Sequence, residues 1–353
     1  MPLAERNVLS SERAPEDAGL DQSLRPKRFR DFIGQAQVKE NLHVYITAAK
    51  KRKEPLDHIL FSGPPGIGKT TLSYIIAAEM GAEIKCTSGP ALERPADLAG
   101  ILTSLNAGDV LFVDEVHRLG TVIEEYLYSA MEDFCIDIVI DQGPSARSVR
   151  LTLPKFTLVG ATTREGLLTA PFRARFGVLE RLDYYPWADL FQILLNSAKI
   201  LNVKIDKAGA EAVARRSRGT PRIANRFLRR IRDVAQVKGQ NHITERVALD
   251  GLRMLGVDEN GLCAMDRMIL QTIGRTGGSP VGLKTIAVTV GEEEDTIEEV
   301  YEPFLIQYGY LEKTPRGRVV TQLGYKMLGI EAPRPSKVEP VATSNQPQLF
   351  SSL

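Results

Sequence analysis

The sequence predicts an α/β protein: a parallel-sheet domain, then a small helical domain, then a C-terminal domain of three helices and a hairpin wing. Three observations predict this. Across residues 24–256, apolar runs of strand length (58–62, 83–87, 110–113, 156–161) alternate with helix-period stretches such as 70–80 and 121–133. That alternation is the pattern of a parallel sheet with crossover helices. Residues 187–255 show helix periodicity alone and are dense in Arg, Ala, Ile and Leu. From near Val257 the chain reads helix (265–275), a Gly277-Gly278 break, helix (281–290), an acidic turn, helix (295–308) and a short hairpin, ending near Ile330. Boundaries follow: a flexible polar arm (1–20), the sheet domain (21–184), the helical domain (185–256), the C-terminal domain (257–330) and a tail rich in Pro, Ser and Gln (331–353) with too few apolar residues to pack. No internal repeat is visible.

Composition narrows the class. The chain has 353 residues, 43% hydrophobic and 25% charged, values of an ordinary folded protein. Forty-five basic and 44 acidic side chains leave a net charge of +1, so a polyanion would have to be held by local patches. The three cysteines (Cys86, Cys135, Cys263) form no CxxC pair, which argues against a disulfide scaffold or a cysteine-rich zinc site and for a reducing compartment. The N-terminus has no apolar core of a secretion signal, and no stretch reaches the roughly 18 apolar residues of a membrane span. The expectation is a cytoplasmic protein with no membrane contact.

The nucleotide signal comes first in the chain. Gly63-Pro-Pro-Gly66-Ile-Gly68-Lys69-Thr70 fits GxxxxGK[ST] at every fixed position, preceded by the apolar strand HILFS and followed by the helix TLSYIIAAEM. Glycines let the backbone wrap a phosphate with its N–H groups inward, and the helix N-terminus adds positive dipole. Lys69 reaches the β- and γ-phosphates, and the Thr70 hydroxyl can ligate Mg²⁺. The apolar strand VLFV then ends in Asp114-Glu115. It places two carboxylates at the sheet's C-terminal edge, where ligands bind in open α/β sheets. Asp114 is expected to hold Mg²⁺ through water and Glu115 to polarise the attacking water; the bland alternative is an acidic pair capping the next helix.

A third apolar strand ends in Thr162-Thr163-Arg164, where a hydroxyl could orient the water or merely cap the strand. Arg173 and Arg175 flank one position on a short turn, either paired locally or presented to a neighbouring subunit's γ-phosphate as an arginine finger. The run 215–232 holds eight arginines and no acid. Pro221 suits a first helical turn, which puts Arg222 beside a helix N-terminus as the phosphate ligand of that run. Residues 135–153 alternate apolar and polar around a Gly-Pro-Ser turn, a hairpin that either packs inward or offers apolar groups to a partner.

The C-terminal domain has the winged-helix layout. Its wing turn carries Lys313, Arg316 and Arg318, with Gly317 for the turn and Pro315 to stiffen it. Such a tip suits phosphate contacts, which carry no sequence information. The acidic segment Glu292–Asp295 leads into the helix that would otherwise read bases, so the wing is expected to make the contact. In the tail, Gln346-Pro-Gln-Leu349-Phe350 is similar to the short peptide that binds the bacterial sliding clamp. The four histidines (43, 58, 117, 242) form no close ligand pair, and His117 reads as structural.

LRPKRFRDFIGQ, GPPGIGKTT, VDEVHRL, GATTREG, RARFG, RGTPRIANRFLRRIRD and LIQYGYLEKTPRGRVVT together resemble the AAA+ ATPases and, more narrowly, the RuvB family of branch-migration motors, over about residues 20–330. The resemblance implies a P-loop AAA+ domain, a lid domain and a winged-helix domain. It implies an ATP-hydrolysing, Mg²⁺-dependent motor, a homohexameric ring around duplex DNA at four-way junctions, acting in recombination, repair and the SOS response. Partners implied are a RuvA-type junction-binding protein gripped by hairpin 135–153 and, indirectly, a RuvC-type resolvase. It places Leu24 and Arg25 near adenine, and Gly66, Lys69, Thr70 and Thr71 on the phosphates. Thr162 becomes the first sensor, Arg175 the trans-acting finger, Arg222 the second sensor, and Tyr185 a wall of the nucleotide pocket. Similar proteins carry Asp between the two arginines where this chain has Ala174, a departure that bears on the local salt bridge.

Other classes fit less well. A transcription activator would need a base-reading helix, which the acidic lead-in opposes. A clamp-loading or protein-remodelling subunit has less use for a basic wing. A GTPase lacks its NKxD motif here.

Overall fold

The apolar runs at 59–61, 110–113 and 158–161 can be satisfied only where both faces of a strand are covered, and they form the centre of a parallel sheet. The structure, a computed structural model, describes residues 23–140, 147–238 and 241–333. The arm, the Gly-Pro-Ser turn and the sliding-clamp-like peptide lie outside the described residues. Two compact units divide at Cys263/Ala264.

The first unit opens with α1 (Ala36–Arg52), β1 (Ile59–Ser62), α2 (Lys69–Met80), β2 (Ile84–Ser88), α3 (Pro95–Thr103), β3 (Val110–Asp114) and α4 (Thr121–Glu132). Then come β4 (Cys135–Ile140), β5 (Arg147–Thr152), β6 (Thr157–Thr162), α5 (Ala170–Arg173) and β7 (Val178–Arg181). The sheet order is β2-β3-β6-β1-β7, every pair parallel. Strands β3, β6 and β1 are therefore neighbours, and the loops that leave their C-terminal ends meet along one edge. Ser62 registers with Thr162, and Val113 with Gly160. β1 and β6 are buried along their whole length. One core face packs Leu111, Val113, Leu127, Phe156 and Phe172.

β7 has no counterpart in the expected strands. It is an edge strand with inverted polarity: Leu179 is 53% exposed while Glu180 is buried, its carboxylate accepting from Asn41 Nδ2 at 3.0 Å. An apolar residue outside and a charged one inside erase the period-2 signal.

The hairpin forms as expected, β4 antiparallel to β5. Its root packs inward, however: Cys135, Ile136 and Leu153 are buried and Leu151 packs against the core. Val149, 40% exposed, is apolar surface on the described part of the hairpin, and Asp137 is clamped by both forks of Arg150 at 2.9 Å.

The helical part follows with α6 (Trp187–Ile200), β8 (Lys204–Ile205), α7 (Lys207–Arg216), α8 (Pro221–Lys238), β9 (His242–Ile243) and α9 (Glu245–Met254). It is not purely helical, since β8 and β9 form a two-residue parallel bridge, too short to leave a periodic trace. Asp206 and Thr244 cap the helices that follow them, accepting from the N–H groups of Gly209 and Val247.

The second unit holds α10 (Ala264–Gly274), α11 (Leu283–Val290), α12 (Glu294–Thr296), a π turn (Ile297–Tyr301), α13 (Glu302–Gln307), the hairpin β10 (Leu311–Thr314) and β11 (Gly317–Val320), and α14 (Gln322–Leu328). Val281, expected to start a helix, instead makes a single antiparallel bridge to Arg318 of the wing. The closing helix α14 was not among the expected elements. Among the described residues no helix is long and apolar enough to cross a membrane.

Candidate functional site

At two points the loop from Ser62 to Lys69 turns inside a space that only glycine fits. Gly63 sits at φ 133°, and a Cβ there would lie 2.3 Å from the carbonyl oxygen of Leu182. Gly66 sits at φ 78°, and its Cβ would meet Cβ of Arg222 at 2.8 Å. The second clash matters most. The first turn of α8 lies directly on the phosphate loop, with the Arg222 side chain against Gly66. The Arg222 N–H donates to the Gly66 carbonyl at 3.3 Å.

Between these parts lies a cavity of about 610 Å³. It gathers, among others, Leu24, Arg25, Gly66, Lys69, Thr70, Thr71, Asp114, Glu115, Tyr185 and Arg222. All of these are positions picked out in the sequence. Lys69 is buried and its Nζ donates to the carbonyls of Gly63 (2.7 Å) and Pro64 (2.9 Å). The Tyr185 hydroxyl donates to the Ile67 carbonyl at 3.0 Å, and burial pushes its phenol up from the ordinary tyrosine value. The Arg25 guanidinium lies 5.5 Å over the Tyr74 ring.

The acids close the other side. Glu115 has φ 51°, the left-handed region, unusual for a residue with a side chain and frequent at functional sites. Its backbone N–H donates to Asp114 Oδ1 at 3.1 Å. Burial, then the neighbouring Asp114, raise the Glu115 pKa, with Lys69, Thr163 and Arg118 opposing. A carboxylate so placed is a stronger base than an exposed one.

The two hydroxyls at the end of β6 have different partners. Thr163, not Thr162, donates to Glu115, Oγ1 to Oε2 at 3.1 Å. Thr162 is fully buried, does not line the cavity, and meets His117 Nδ1 at 2.9 Å and the Arg164 N–H at 3.0 Å. His117 also stands 3.2 Å from Glu115 Oε2. From the sequence, with no close ligand pair among the histidines, His117 reads as structural. Its one signal was position, on the turn just after the acids. Asn225 was also missed. Its Oδ1 is buried with no hydrogen-bond partner, and the residue lines the cavity. The signal was spacing, three positions after Arg222 on one helix face.

Arg175 lies away from this cavity. Its guanidinium stacks 4.2 Å above the Tyr128 ring, pairs with Glu132 at 2.6 Å and bonds the Tyr128 hydroxyl. The local salt bridge exists after all, supplied from α4 rather than by position 174.

The wing corrects one expectation outright. Arg318 is not a cation of the wing tip. It is 8% exposed and clamps Glu302, itself 2% exposed, with two bonds at 2.6 and 3.1 Å. In an alternating strand it points inward, and the carboxylate opposite compensates its charge. Lys313 is on the surface but paired with Glu298 at 2.7 Å. Glu298 and Glu302, four apart, present one acidic face to the wing. Arg316, on the exposed turn between β10 and β11, remains as the tip cation.

The residues fit a nucleoside triphosphate with a divalent ion. Gly63 and Gly66 hold positive-φ turns with no room for a Cβ, a buried ammonium stands at the start of α2, and the same cavity holds a hydroxyl (Thr70) and a carboxylate (Asp114), the hard oxygen donors magnesium takes.

Comparison with known proteins covers nearly the whole chain. Residues 24–182 match the family model described as the Holliday junction DNA helicase RuvB P-loop domain, residues 185–258 the RuvB AAA lid domain, and residues 259–329 the RuvB C-terminal winged helix domain. The solved Thermotoga maritima RuvB Holliday junction branch migration motor is 49% identical, over 88% of this chain and 100% of that one, with a TM-score of 0.80. A solved lysine-to-arginine mutant of the same Thermotoga maritima protein is similarly related, at 49% identity over 88% of this chain and 99% of that one, with a TM-score of 0.81. So is an arginine-to-alanine form, at 48% identity over 88% and 99%, with a TM-score of 0.80.

Proposed function

The chain belongs to the RuvB family, with its P-loop, lid and winged-helix domains, and from that premise we propose that it couples ATP hydrolysis to the movement of duplex DNA through a four-way junction. The observation that carries this is the direct packing of Arg222 on Gly66. With the Arg222 side chain laid directly on a glycine of the phosphate loop, a change in the phosphates bears on the lid at once, which is what a motor needs and a static binding site does not.

The chemistry follows from the chain's own groups. ATP enters with its triphosphate along the loop and its base toward Leu24, Arg25 and Tyr185. Its β- and γ-oxygens replace the Gly63 and Pro64 carbonyls as acceptors for Lys69. Water attacks the γ-phosphorus, Glu115 takes its proton, the bond from the γ-phosphorus to the bridging oxygen breaks, and ADP and inorganic phosphate leave. Lys69 and the N–H groups of the loop meet the charge that builds on the departing oxygens. Thr70 and Asp114 would hold Mg²⁺, which when bound supplies charge neutralisation at the phosphates.

The working assembly is a homohexameric ring round duplex DNA, with Arg175 offered to the neighbouring subunit's γ-phosphate and pre-oriented by Tyr128 and Glu132. Arg316 on the wing contacts backbone phosphates without regard to sequence. The exposed Val149 on the hairpin fits docking of a RuvA-type junction-binding protein, with a RuvC-type resolvase acting on the same junction. Recombination and repair in the cytoplasm, under damage-induced expression, is the fitting setting.

The test is strand separation of a synthetic four-way junction with ATP, with and without the junction-binding protein. The expected result is ATP-dependent separation strengthened by the partner; ATP hydrolysis with no separation under either condition overturns the motor reading. Mixing Arg175→Ala with Lys69→Ala subunits should restore hydrolysis at the intact interfaces, and no recovery at any ratio counts against action between subunits.

A further inference from the structure

Two groups meet at one oxygen of Glu115, and their chemistry fixes where each proton lies. Oε2 accepts the Thr163 hydroxyl at 3.1 Å and faces His117 Nδ1 at 3.2 Å. Oε1 has no hydrogen-bond partner among the described residues. An ionised carboxylate only accepts, so Nδ1 must carry a hydrogen for that contact to be attractive. The same Nδ1 is 2.9 Å from Thr162 Oγ1. The Nδ1–H is therefore bonded to Thr162 with Glu115 Oε2 close beside it, its positive end facing the carboxylate, and Thr162 accepts from both the imidazole and the Arg164 N–H.

This bridge crosses two adjacent strands. Thr162 is the last residue of β6 and Glu115 follows the last residue of β3, and those strands pair in the sheet. The His117 ring is held on the turn after Glu115, its side chain 6% exposed, too enclosed to swing away. The backbone of Glu115 is left-handed, and hydrogen bonds are what hold its carboxyl.

We propose that His117 is a positioning residue for hydrolysis: its Nδ1–H ties Oε2 of Glu115 to the end of β6 and leaves Oε1 as the oxygen that takes the proton from water. The proposal rests on Glu115 being the base. Histidine is suited to the task because its ring is rigid and spans the gap between the strands. Removing the tether leaves nucleotide contacts in place and blurs the direction of one carboxyl oxygen. Displacements of about 1 Å at such a point can cost on the order of 100-fold, and partners one shell behind reacting groups about 10- to 100-fold.

Asparagine and glutamine distinguish the two ring nitrogens. Asn places its amide N–H where Nδ1 sits; Gln places its own where Nε2 sits. The experiment measures steady-state ATPase (kcat and KM), ATP affinity and melting temperature of the full chain for His117→Asn, His117→Gln, Glu115→Gln and the pair His117→Gln/Glu115→Gln. Expected is a kcat at least about tenfold lower for His117→Gln with KM within about twofold, and recovery to within about threefold of wild type for His117→Asn. The double variant should be no slower than Glu115→Gln, since residues acting as one unit are not additive. Should His117→Gln not fold, Thr162→Val cuts the other end of the bridge and should lower kcat by a like factor.

The proposal is overturned if His117→Gln keeps kcat within twofold of wild type, if Asn and Gln variants fall equally, or if the double variant loses a further tenfold. If instead Glu115→Gln hydrolyses at the wild-type rate, the assignment of the base has failed, not the bridge alone.

Discussion

Lys69 and Arg318 are both buried cations, and they are put to opposite uses. Lys69 stands at the start of α2 and donates to two backbone carbonyls, neutral acceptors that a phosphate oxygen outcompetes. Arg318 is closed against Glu302 by two bonds, an acceptor of full opposite charge fixed four residues beyond Glu298 on the same helical face. The first is a cation held ready for a ligand; the second is committed to the fold. What separates them is the hydrogen-bond acceptor each keeps: Lys69 Nζ donates to backbone dipoles, with the Glu115 carboxylate acting on it only through its charge, while Arg318 is bonded directly to a carboxylate.

The largest expected effect breaks that comparison on the wing side. Glu302→Ala leaves Arg318 buried without a counter-charge. It should destabilise the second unit by about 3–5 kcal/mol, whereas Arg318→Met with Glu302→Leu should recover most of it. Hydrogen exchange over residues 264–330 of the full chain reads this directly. Protection unchanged in Glu302→Ala would show that the pair contributes nothing. The exposed partner pair is the internal control: Lys313→Ala, losing only its contact to Glu298, should change stability by less than about 1 kcal/mol.

Next comes the nucleotide side. Lys69→Ala should lower ATP hydrolysis by about 100- to 1000-fold, the scale of losing one preorganised donor to developing charge. Exchange protection in the sheet should stay close to wild type, since the two bonds lost are to carbonyls that water can serve. Hydrolysis surviving within tenfold would mean that Lys69 resembles Arg318 more than it differs from it.

The same contrast explains what could be read from the sequence. The phosphate loop is legible because its geometry is local: glycines at set intervals between a strand and a helix leave few conformations, and a lysine at the helix start faces whatever the loop encloses. β1, β3 and β6 are legible because strands buried on both faces must be continuously apolar. Arg222 was found because proline marks a first helical turn. The failures share a cause too. Arg318 looked like a tip cation because its counter-charge lies 16 residues back on a helix, where no spacing rule reaches. β7 vanished because Glu180 points in, towards Asn41, and Leu179 points out. Thr162 and Thr163 are adjacent on a strand end, and which one meets Glu115 depends on which face each takes. His117 shows no ligand spacing because its partners are one carboxylate and one hydroxyl brought together by the pairing of β3 with β6.

Among the wing cations, Arg316 alone keeps its exposed place on the turn, and that ranks them for DNA. Arg316→Ala should weaken duplex binding and reduce the slope of log affinity against log salt by about 0.9, the loss of one phosphate contact. Lys313→Ala should change the slope less, because Glu298 already offsets that charge. Glu298→Gln should move affinity the other way and tighten binding by freeing Lys313. Fluorescence anisotropy across a salt series separates these; equal slopes for Arg316→Ala and wild type would remove the wing tip from the interface.

The smallest effect compares the units through their histidines, since all four lie in the first unit and none in the second. His58 is half-buried against Phe134 and Phe156, its Nδ1 accepts the Leu158 N–H at 2.8 Å, and its Nε2 is 3.1 Å from the Met131 carbonyl. That fixes a neutral ring with hydrogen on Nε2. A proton added at Nδ1 would face another N–H. Burial lowers the pKa from its ordinary 6.5, against the Met131 bond and Asp57. The unfolded chain therefore binds the proton first. Stability conferred by the neutral ring is full above about pH 6.5 and declines as pH falls below it, at up to about 1.4 kcal/mol per pH unit until the folded value is reached. Between pH 7.5 and 5.5 the first unit should lose exchange protection while the second is less affected, and His58→Gln should flatten part of the decline. A first unit whose protection is level across that range, with His58 intact, would mean the ring gains its proton without leaving the core.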